Sequence, residues 1–396
     1  MFPSDDKLAT RNALVLTAAQ ALGGANPAIV ISLGGLVGLS LAEDKSLATL
    51  PVSLLNLGLA AGTIPAAVLM RRVGRRSGYL LGAVVGVAAG CLAAAAVALS
   101  AFALFCAATF GAGLYAAFVQ SYRFAAADSA SDAFKGRAIS WVMAGGIAAA
   151  IIGPQTVIWT RDLAPGAPFA GGFLGQAALA LLSIPVLSYL RAPPAVSVPT
   201  GGGRPLGAIL SQGRFVAAVA AGLVAYGLMS FVMTAAPLAM VECGHSIGTA
   251  ALGIQWHILA MYGPSFVTGR LLDRFGKEAI TALGLALIAA AAAVGLLGLS
   301  VAHFWIALIL LGIGWNFGFI GATALVTECY RPEERAKVQA ANDFLVFGSV
   351  AAASFSSGGL LQAGGWEAVN WLVFPPVAAA LALLAWRARA AFAVGP

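Results

Sequence analysis

Long apolar runs separated by short polar segments dominate this chain. We identify twelve such runs, each near or above the roughly 20 apolar residues that cross a bilayer as a helix. They fall near 13–39, 47–70, 78–98, 101–127, 137–160, 167–190, 214–241, 248–272, 278–300, 302–327, 337–361 and 367–390. The runs lack the two-residue alternation of a membrane β-barrel strand, so the pattern predicts an all-α integral membrane protein with twelve transmembrane helices.

The composition agrees with this interpretation. Of the 396 residues, 60% are hydrophobic and only 9% are charged, and the mean hydropathy is +0.92. A soluble domain carries roughly a quarter charged residues, so most of this apolar surface must face lipid. The first run has no small-residue cleavage site after a short apolar stretch, and we interpret it as a retained helix rather than a signal peptide.

The basic residues are distributed unevenly between the two ends of the predicted helices. If the N-terminus lies in the cytoplasm, 20 of the 22 Lys and Arg residues fall in cytoplasmic segments. They are Lys7, Arg11, Arg71, Arg72, Arg75, Arg76, Arg123, Lys135, Arg137, Arg191, Arg204, Arg214, Arg270, Arg274, Lys277, Arg331, Arg335, Lys337, Arg387 and Arg389. By the positive-inside rule, this asymmetry predicts that both termini are cytoplasmic. The net charge of +7 therefore reflects topology and does not indicate a nucleic-acid partner.

One long polar break divides the helices into two groups of six. Segment 191–213 is rich in Pro, Gly and Ser and suits a flexible cytoplasmic linker between an N-terminal bundle, 1–190, and a C-terminal bundle, 214–396. The halves resemble each other, since Gly74 and Gly276 follow similar basic loops 202 residues apart. Two pseudo-symmetric six-helix bundles are a common transporter design.

The sharpest motif is the short loop after the eighth run, Gly269-Arg-Leu-Leu-Asp273-Arg274-Phe-Gly276-Lys277. Gly276 permits a tight turn between two helices. Asp273 can accept hydrogen bonds from the free N–H groups at a helix start, where negative charge is favoured. Arg274 and Lys277 can pair with acidic groups on adjacent helix ends. The motif therefore predicts a conformational gate that joins the two halves on one face and releases them on rocking.

With this motif, six plus six helices and a long central loop, the chain resembles the major facilitator superfamily over nearly its whole length. In that family the loop motif has the form G-x-x-x-D-R/K-x-G-R/K, which the C-terminal copy matches. The N-terminal copy supplies the gate residues Arg71, Arg72 and Gly74, but Arg71 stands where the family usually has Asp. Asp128, at the loop after the fourth run, is a further gate candidate. Arg71 could meet Asp128 or Asp343, or it could be only a basic anchor at the membrane surface.

The resemblance also implies which residues face the substrate. In the family the first, fourth, seventh and tenth helices line a central cavity, so Gln20, Asn26, Arg123, Trp315 and Asn316 are the candidate substrate-binding residues. Arg123 could bind an anionic group, or it could extend to the cytoplasmic surface. The amide side chains could instead join helices together.

Two ionisable groups within the apolar runs are candidates for proton coupling. Charged groups inside a membrane are costly and by default indicate function. Burial would raise the proton affinity of Asp343 in the eleventh helix, and the imidazole of His257 in the eighth titrates near neutral pH. The alternatives are that Asp343 pairs with Arg71 or Arg72 and that His257 is a hydrogen-bonded packing residue.

The sequence favours a transporter over an enzyme. It contains no phosphate-binding loop and no Cys/His cluster, so we expect no cofactor, no metal and no catalytic residues. The leading hypothesis is a monomeric secondary transporter of a small molecule in the cell membrane (the inner membrane of a bacterium), with alternating access. Gly153-Pro154 resembles the centre of the family's antiporter motif and favours proton-coupled export. The alternatives are uptake of an organic anion through Arg123, and a non-transporting receptor or assembly factor.

Overall fold

The computed structural model describes residues 7–128, 130–191 and 203–393, and these are overwhelmingly helical. The helices are α1 (Lys7–Gly23), α2 (Ala25–Leu41), α3 (Leu50–Val73), α4 (Arg75–Ala98), α5 (Phe102–Gln120), α6 (Tyr122–Asp128), α7 (Asp132–Thr160), α8 (Ala170–Ser188), α9 (Leu206–Leu210), α10 (Gly213–Glu242), α11 (Ile247–Tyr262), α12 (Ser265–Phe275), α13 (Lys277–Leu297), α14 (Val301–Thr327), α15 (Arg335–Trp371) and α16 (Phe374–Ala393). The described residues include no β-strand, as the apolar pattern predicts.

These helices make twelve membrane crossings. Ten helical stretches of the described chain are long and apolar enough to span a bilayer, and the last of them, Lys337–Arg387, holds two crossings because its 51 residues reach more than twice the apolar thickness. The remaining crossing is split at Gly263-Pro264 into α11 and α12, of 16 and 11 residues. Proline has no N–H for the helix and clashes with the preceding turn, which explains the break.

The last two crossings meet at Gly365, in the gap that the hydropathy pattern predicts. The eleventh run ends near 361 and the twelfth begins near 367. Gly365 has non-helical backbone angles, φ +66° and ψ −171°, so two helices meet there within the span of α15. Glycine adopts this positive φ without steric cost.

The two loop motifs form matching turns. Gly74 joins α3 to α4 with φ +83° and ψ 157°, and Gly276 joins α12 to α13 with φ +89° and ψ 149°. Glycine adopts a positive φ without steric cost, unlike other residues. Equivalent backbone angles at equivalent positions confirm the tight turns that the repeated sequence predicts.

The crossings form two six-helix bundles, one built from α1–α8 and the other from α10–α16. Glycines permit close helix crossings at equivalent places in both. A Cβ on Gly113 would collide with the carbonyl oxygen of Leu55, and a Cβ on Gly312 with that of His257. Gly113 and Gly312 are 199 residues apart, close to the period of the repeat in the sequence. The internal repeat is thus a repeat of packing as well as of composition.

The two bundles are sealed together at one end of the molecule. We name the end with Lys7 and the two glycine turns the terminal face, and the other end, with Asp44 and Gly244, the opposite face. Towards the opposite face, every residue of 28–38 in α2 and of 227–240 in α10 is buried. Towards the terminal face the same crossings expose Leu14, Ala18 and Val216. The bundles are therefore closed against each other at the opposite face and are less closely packed at the terminal face.

Candidate functional site

A small cavity of about 100 Å³ lies between the two bundles at mid-height. The N-terminal bundle lines it with small apolar residues and three side-chain amides, while the C-terminal bundle contributes tyrosines, methionines and a serine. These polar and large side chains are Gln20, Asn56, Gln120, Tyr226, Met229, Ser230, Met233, Met261 and Tyr262. None of the cavity-lining residues is Asp, Glu, His, Lys or Arg. The lining therefore suits an uncharged molecule with aromatic and hydrogen-bonding parts.

Five aromatic side chains pack together behind the C-terminal wall of the cavity, and we call them the aromatic cluster. The ring centroid of Tyr226 lies 5.3 Å from Trp315, 4.9 Å from Phe319 and 6.0 Å from Phe347. Trp315 and Phe319 are stacked at 5.4 Å, and Tyr262 lies 6.3 Å from Trp315. Clustered aromatic faces and edges favour contact with a flat ring system. Tyr226 and Tyr262 present this cluster directly to the cavity.

Gln20 and Trp315, two of the expected substrate-binding residues, lie at this site. Gln20 lines the cavity, and Trp315 belongs to the aromatic cluster. The indole Nε1 of Trp315 is buried and has no hydrogen-bond partner among the described residues. A buried donor without an acceptor is costly unless something satisfies it. This part of the site therefore has an unsatisfied hydrogen-bond donor.

Asn26 lies outside the cavity lining, contrary to the expectation from its helix. Its Nδ2 donates to the carbonyl oxygen of Ala112 at 3.0 Å, and its Oδ1 accepts from Gln176 Nε2 at 2.6 Å. The side chain is buried between α2, α5 and α8. In this conformation Asn26 joins helices of the N-terminal bundle.

Asn316 likewise joins helices and is completely buried. Its Nδ2 donates to the carbonyl oxygen of Met261 at 2.6 Å and to Ser265 Oγ at 2.7 Å, while its Oδ1 accepts from Thr268 Oγ1 at 2.5 Å. These partners surround the break at Gly263-Pro264, where regular helix hydrogen bonds are interrupted. Neighbouring polar side chains commonly satisfy backbone groups at such a break. Asn316 therefore supports the split eighth crossing rather than the cavity surface.

Replacing Asn316 with valine should destabilise the C-terminal bundle. The change removes the side-chain donor to the buried Met261 carbonyl, and an unsatisfied buried group costs about 1–3 kcal/mol. We expect a lower Tm in detergent, measured by thermal unfolding. Thr323→Val on the same helix is the matched control, because Thr323 is exposed and bonds only to its own helix. Equal Tm values for the two variants would contradict this role of Asn316.

His257 is also completely buried and does not line the cavity. Its Nδ1 lies 2.8 Å from the carbonyl oxygen of Leu308, and since a carbonyl only accepts, Nδ1 donates. Nε2 has no partner in the part of the chain that the structure describes. The contact joins α11 to α14, which matches the packing alternative for this residue. No cavity contact places His257 on a transport path in this conformation.

Arg123 and Asp343 approach each other from opposite bundles, on the terminal-face side of the cavity. Arg123 follows the cavity-lining Gln120 by three residues, and Asp343 precedes the cavity-lining Val350 by seven, which is two helical turns on one face of α15. The charge of Arg123 acts on Asp343 across the space between the bundles, although the ion pairs of the described residues do not join them. We call Arg123 and Asp343 the mouth pair.

The arginine within electrostatic range of Asp343 is thus Arg123, and not Arg71 or Arg72 as the sequence suggests. Arg71 and Arg72 are exposed at the end of α3, and the charge that acts on Asp343 is that of Arg123. The other suggested partner of Arg71 is the side chain of Asp128, which lies outside the described residues. The pairing of Arg71 with Asp128 stays a prediction.

The C-terminal loop motif takes part in a charged network on the terminal face. Lys277 and Arg214 both contact the carboxylate of Glu328, and Arg214 also lies 3.8 Å from Glu278. The hydrogen bond from Lys277, with the charge of Arg214, lowers the pKa of Glu328. This network joins the ends of α10, α13 and α14 within one bundle.

The remaining motif residues make no contact between the bundles in this conformation. Gly269 and Asp273 are exposed, and Asp273 has no hydrogen bond or ion pair to any described residue. The guanidinium of Arg274 lies over the ring of Phe275, 5.2 Å from its centroid. Because the bundles are closed at the opposite face, a gate at the terminal face is expected to be open here.

The end of the predicted linker is attached to the C-terminal bundle. Residues 192–202 lie outside the described residues, and helix α9 follows shortly after them. Arg204 Nε and Nη2 donate to the two oxygens of Glu334 at 2.9 and 2.7 Å, and the backbone N–H groups of Arg204 and Arg331 donate at 2.7 and 2.9 Å. The Glu334 side chain is 0% exposed. The bonds from Arg204, joined by that from Arg331, hold the pKa of Glu334 well below its usual value.

Replacing Glu334 with glutamine should lower the Tm at pH 7. The folded-state pKa of Glu334 is depressed, so its stabilising contribution is present above the unfolded pKa, near 4.5, and is lost as the pH falls below that value. We therefore expect the Tm difference between wild type and Glu334→Gln to shrink below about pH 4.5. Glu333→Gln changes the neighbouring exposed carboxylate and should leave the Tm unchanged. A Tm difference that is constant from pH 7 to pH 3 would contradict this assignment.

Three pairs of uncharged side chains connect the bundles at and beyond the cavity, and we call them the polar seal. Ser53 Oγ donates to Ser354 Oγ at 3.3 Å, Gln155 Nε2 to Gln255 Oε1 at 3.0 Å, and Asn56 Nδ2 to Ser230 Oγ at 3.4 Å. Their members are Ser53, Ser354, Gln155, Gln255, Asn56 and Ser230. Such bonds are individually weak and can exchange for water when the face opens.

Sequence reasoning missed Tyr262, Ser230 and the aromatic cluster as a unit. Tyr226, Met229 and Met233 are spaced by three and four residues, so they share one helical face, and the structure puts that face on the cavity. The signal for Tyr262 is its position just before the Gly263-Pro264 break, where a helix end can turn a side chain towards a cavity.

Comparison with known proteins agrees with this architecture. The family model of the Major Facilitator Superfamily matches residues 13–354 and 265–393. The chain therefore belongs to the major facilitator superfamily, and it is a multi-pass membrane transporter rather than an enzyme.

Three individual proteins are similar to this chain over most of its length. The chain is 61% identical over 389 residues, 98% of each chain, to the riboflavin transporter RfnT of Brucella anthropi. It is 32% identical, over 87% of this chain and 83% of the relative, to the MFS-type transporter YddS of Bacillus subtilis. A crystal structure of the nucleoside transporter NupG superposes with a TM-score of 0.71 at 14% identity, covering 96% of this chain and 99% of that one. At that identity the structural likeness concerns the fold alone.

Proposed function

We propose that this protein carries riboflavin across the membrane by alternating access. The cavity is the observation that carries the proposal, because tyrosines and methionines form one wall and side-chain amides form the other. Riboflavin is uncharged and joins a flat three-ring system to a hydroxylated chain. The aromatic wall suits the rings, and the amides suit the hydroxyl groups. The 61% identity to the riboflavin transporter of Brucella anthropi supports the same cargo.

The cavity is smaller than most ligand pockets. Ligand pockets usually measure roughly 300–1,000 Å³, several times the volume of about 100 Å³ between these bundles. A three-ring molecule would therefore have to widen this cavity at mid-height as it enters. Entry from the terminal face is the route that the proposal implies, since the opposite face is sealed.

We place the terminal face in the cytoplasm and the protein in the cell membrane, the inner membrane of a bacterium. The asymmetry of 20 among 22 basic residues supports this orientation. With the opposite face closed, the described conformation would then be the inward-facing one. We expect the protein to act as a monomer, with the substrate path inside a single chain.

Movement down the riboflavin gradient is the mode that we propose, which gives net uptake wherever riboflavin is consumed inside. Export against a gradient would need coupling to protons, and Gly153-Pro154, which favours it, has a packing explanation. A Cβ on Gly153 would lie 2.8 Å from the Cβ of Ala28 and 2.9 Å from the carbonyl oxygen of Ala25. Of the two proton-coupling candidates, Asp343 is the one beside the proposed substrate path. For a proton-coupled mechanism, we propose Asp343 as the proton carrier.

An anionic cargo has one observation in its favour, which is Arg123 near the cavity. The carboxylate of Asp343 offsets that charge, so the mouth pair as a whole favours an uncharged molecule. We therefore rank organic-anion uptake second.

A riboflavin titration tests the proposed cargo. Riboflavin is fluorescent, and stacking against Tyr and Trp quenches flavin emission, so purified protein in detergent should quench it saturably. Bound riboflavin should also raise the Tm, because a ligand that binds only the folded state stabilises it. A linear, non-saturating fluorescence response together with an unchanged Tm would overturn the proposal.

A further inference from the structure

We propose that the mouth pair recognises the imide edge of the flavin ring through two hydrogen bonds. Asp343 accepts one from the ring N–H, and Arg123 donates the other to a flanking carbonyl oxygen. This inference rests on the proposed riboflavin function and adds the residues that decide specificity. It starts from the position of the pair, on facing bundles immediately next to the cavity.

Asp343 and Arg123 both lie next to the cavity, one on each bundle. Asp343, Phe347 and Val350 are spaced by four and three residues, so they share one face of α15. Phe347 belongs to the aromatic cluster and Val350 lines the cavity, which fixes the direction of that face. From the other bundle, Arg123 follows Gln120, which lines the cavity, by three residues.

Both members of the pair keep hydrogen-bonding capacity that the described residues do not use. Arg123 Nε is buried without an acceptor. Among the described residues, Asp343 accepts a single hydrogen bond, from Asn342 Nδ2 at 3.2 Å, although a carboxylate can accept about four. Asp343 is exposed and Arg123 is half-buried, so an uncharged edge that presents both an acceptor and a donor could bond to Arg123 Nε and to the Asp343 carboxylate.

The chemistry of the flavin ring complements this arrangement. Its pyrimidine edge presents one N–H between two carbonyl oxygens, and a carboxylate next to a guanidinium presents an acceptor next to donors. The opposite charges of the pair cancel, which suits an uncharged edge. With this edge at the mouth and the rings against the aromatic cluster, the hydroxylated chain points towards Asn56 and Ser230, which provide amide and hydroxyl groups.

This arrangement also links recognition to movement. Arg123 belongs to the N-terminal bundle and Asp343 to the C-terminal bundle, so a ligand that bonds to both draws the bundles together at the terminal face. A ligand changes a conformational equilibrium only by its differential affinity for the two states. A flavin that bridges the pair favours closure, whereas one that contacts a single bundle does not.

A riboflavin derivative methylated at the imide nitrogen tests the proposal, because it keeps the rings and the hydroxylated chain but lacks the N–H. Binding is measured by fluorescence quenching for riboflavin and for 3-methylriboflavin, with wild type, Asp343→Ala and Glu367→Ala. Glu367 lies just beyond the break at Gly365, near the opposite face, and is the control carboxylate. A hydrogen bond to a charged group is typically worth about 1.5–3 kcal/mol, so wild type and Glu367→Ala should bind riboflavin at least about ten times more tightly than the derivative. In Asp343→Ala this preference should fall below about twofold.

Each outcome separates the two proposals. Equal wild-type affinities for the two flavins would overturn recognition by the mouth pair and leave the riboflavin function standing, and this comparison needs no variant that has to fold. A preference retained in a folded Asp343→Ala protein would overturn the role of Asp343. Wild-type protein that binds neither flavin would overturn the riboflavin function and this inference with it.

Discussion

Joining Ser53 to Ser354 by a disulfide should reduce riboflavin flux to that of protein-free liposomes. The two hydroxyl oxygens, one from each bundle, are 3.3 Å apart and buried in the polar seal. A disulfide brings two sulfurs to about 2.05 Å, so Ser53→Cys with Ser354→Cys requires only a small approach. Since cargo must pass the opposite face, a covalent bond there should block the cycle.

Control variants distinguish a blocked transport cycle from a damaged protein. The exposed cysteines Cys91 and Cys243 are first replaced by serine, because they could form other disulfides. Each single cysteine variant should transport equally with and without oxidant, and a reductant should restore flux in the double variant. Riboflavin binding should survive cross-linking, since the terminal face stays open. Full flux in a completely cross-linked sample would show that the opposite face does not open during transport.

Replacing Tyr226 with alanine should weaken riboflavin binding strongly. Tyr226 lines the cavity and touches Trp315, Phe319 and Phe347, so its loss removes a stacking surface and loosens the aromatic cluster. Stacking of a planar base on an aromatic side chain is typically worth about 1–3 kcal/mol, which corresponds to an affinity loss of about 5- to 150-fold. The titration of riboflavin fluorescence measures this change directly.

The conservative variant distinguishes stacking from general damage. Tyr226→Phe keeps the ring and should bind riboflavin nearly as wild type does. Phe344→Ala removes another aromatic ring, one that is 78% exposed on α15, and should leave the affinity unchanged. Wild-type affinity in a folded Tyr226→Ala protein would exclude the aromatic cluster from the binding site.

Much of the fold follows from the sequence because the bilayer dictates helix length. The twelve apolar runs and the glycine turns at Gly74 and Gly276 depend on local composition, which a sequence displays directly. The junction of the last two crossings at Gly365 falls in the gap between the eleventh and twelfth runs, so it too follows from the hydropathy pattern.

The site was harder to predict because hydropathy does not show which way a buried residue faces. Asn316 and Gln20 are both amides on helices that the resemblance assigns to the cavity, yet only Gln20 lines it. The partners of Asn316 come from α11 and α12, about 50 residues away, and only packing determines that they meet. The aromatic cluster is likewise assembled from four helices, so no single segment reveals it.

Riboflavin flux into proteoliposomes that contain only this protein tests the central claim most directly. Labelled riboflavin should enter at a rate that saturates with concentration and should reach equal concentrations on both sides. An excess of unlabelled riboflavin should block entry, and the same excess of a nucleoside should not. Entry indistinguishable from protein-free liposomes, by protein whose Tm shows that it is folded, would contradict the account.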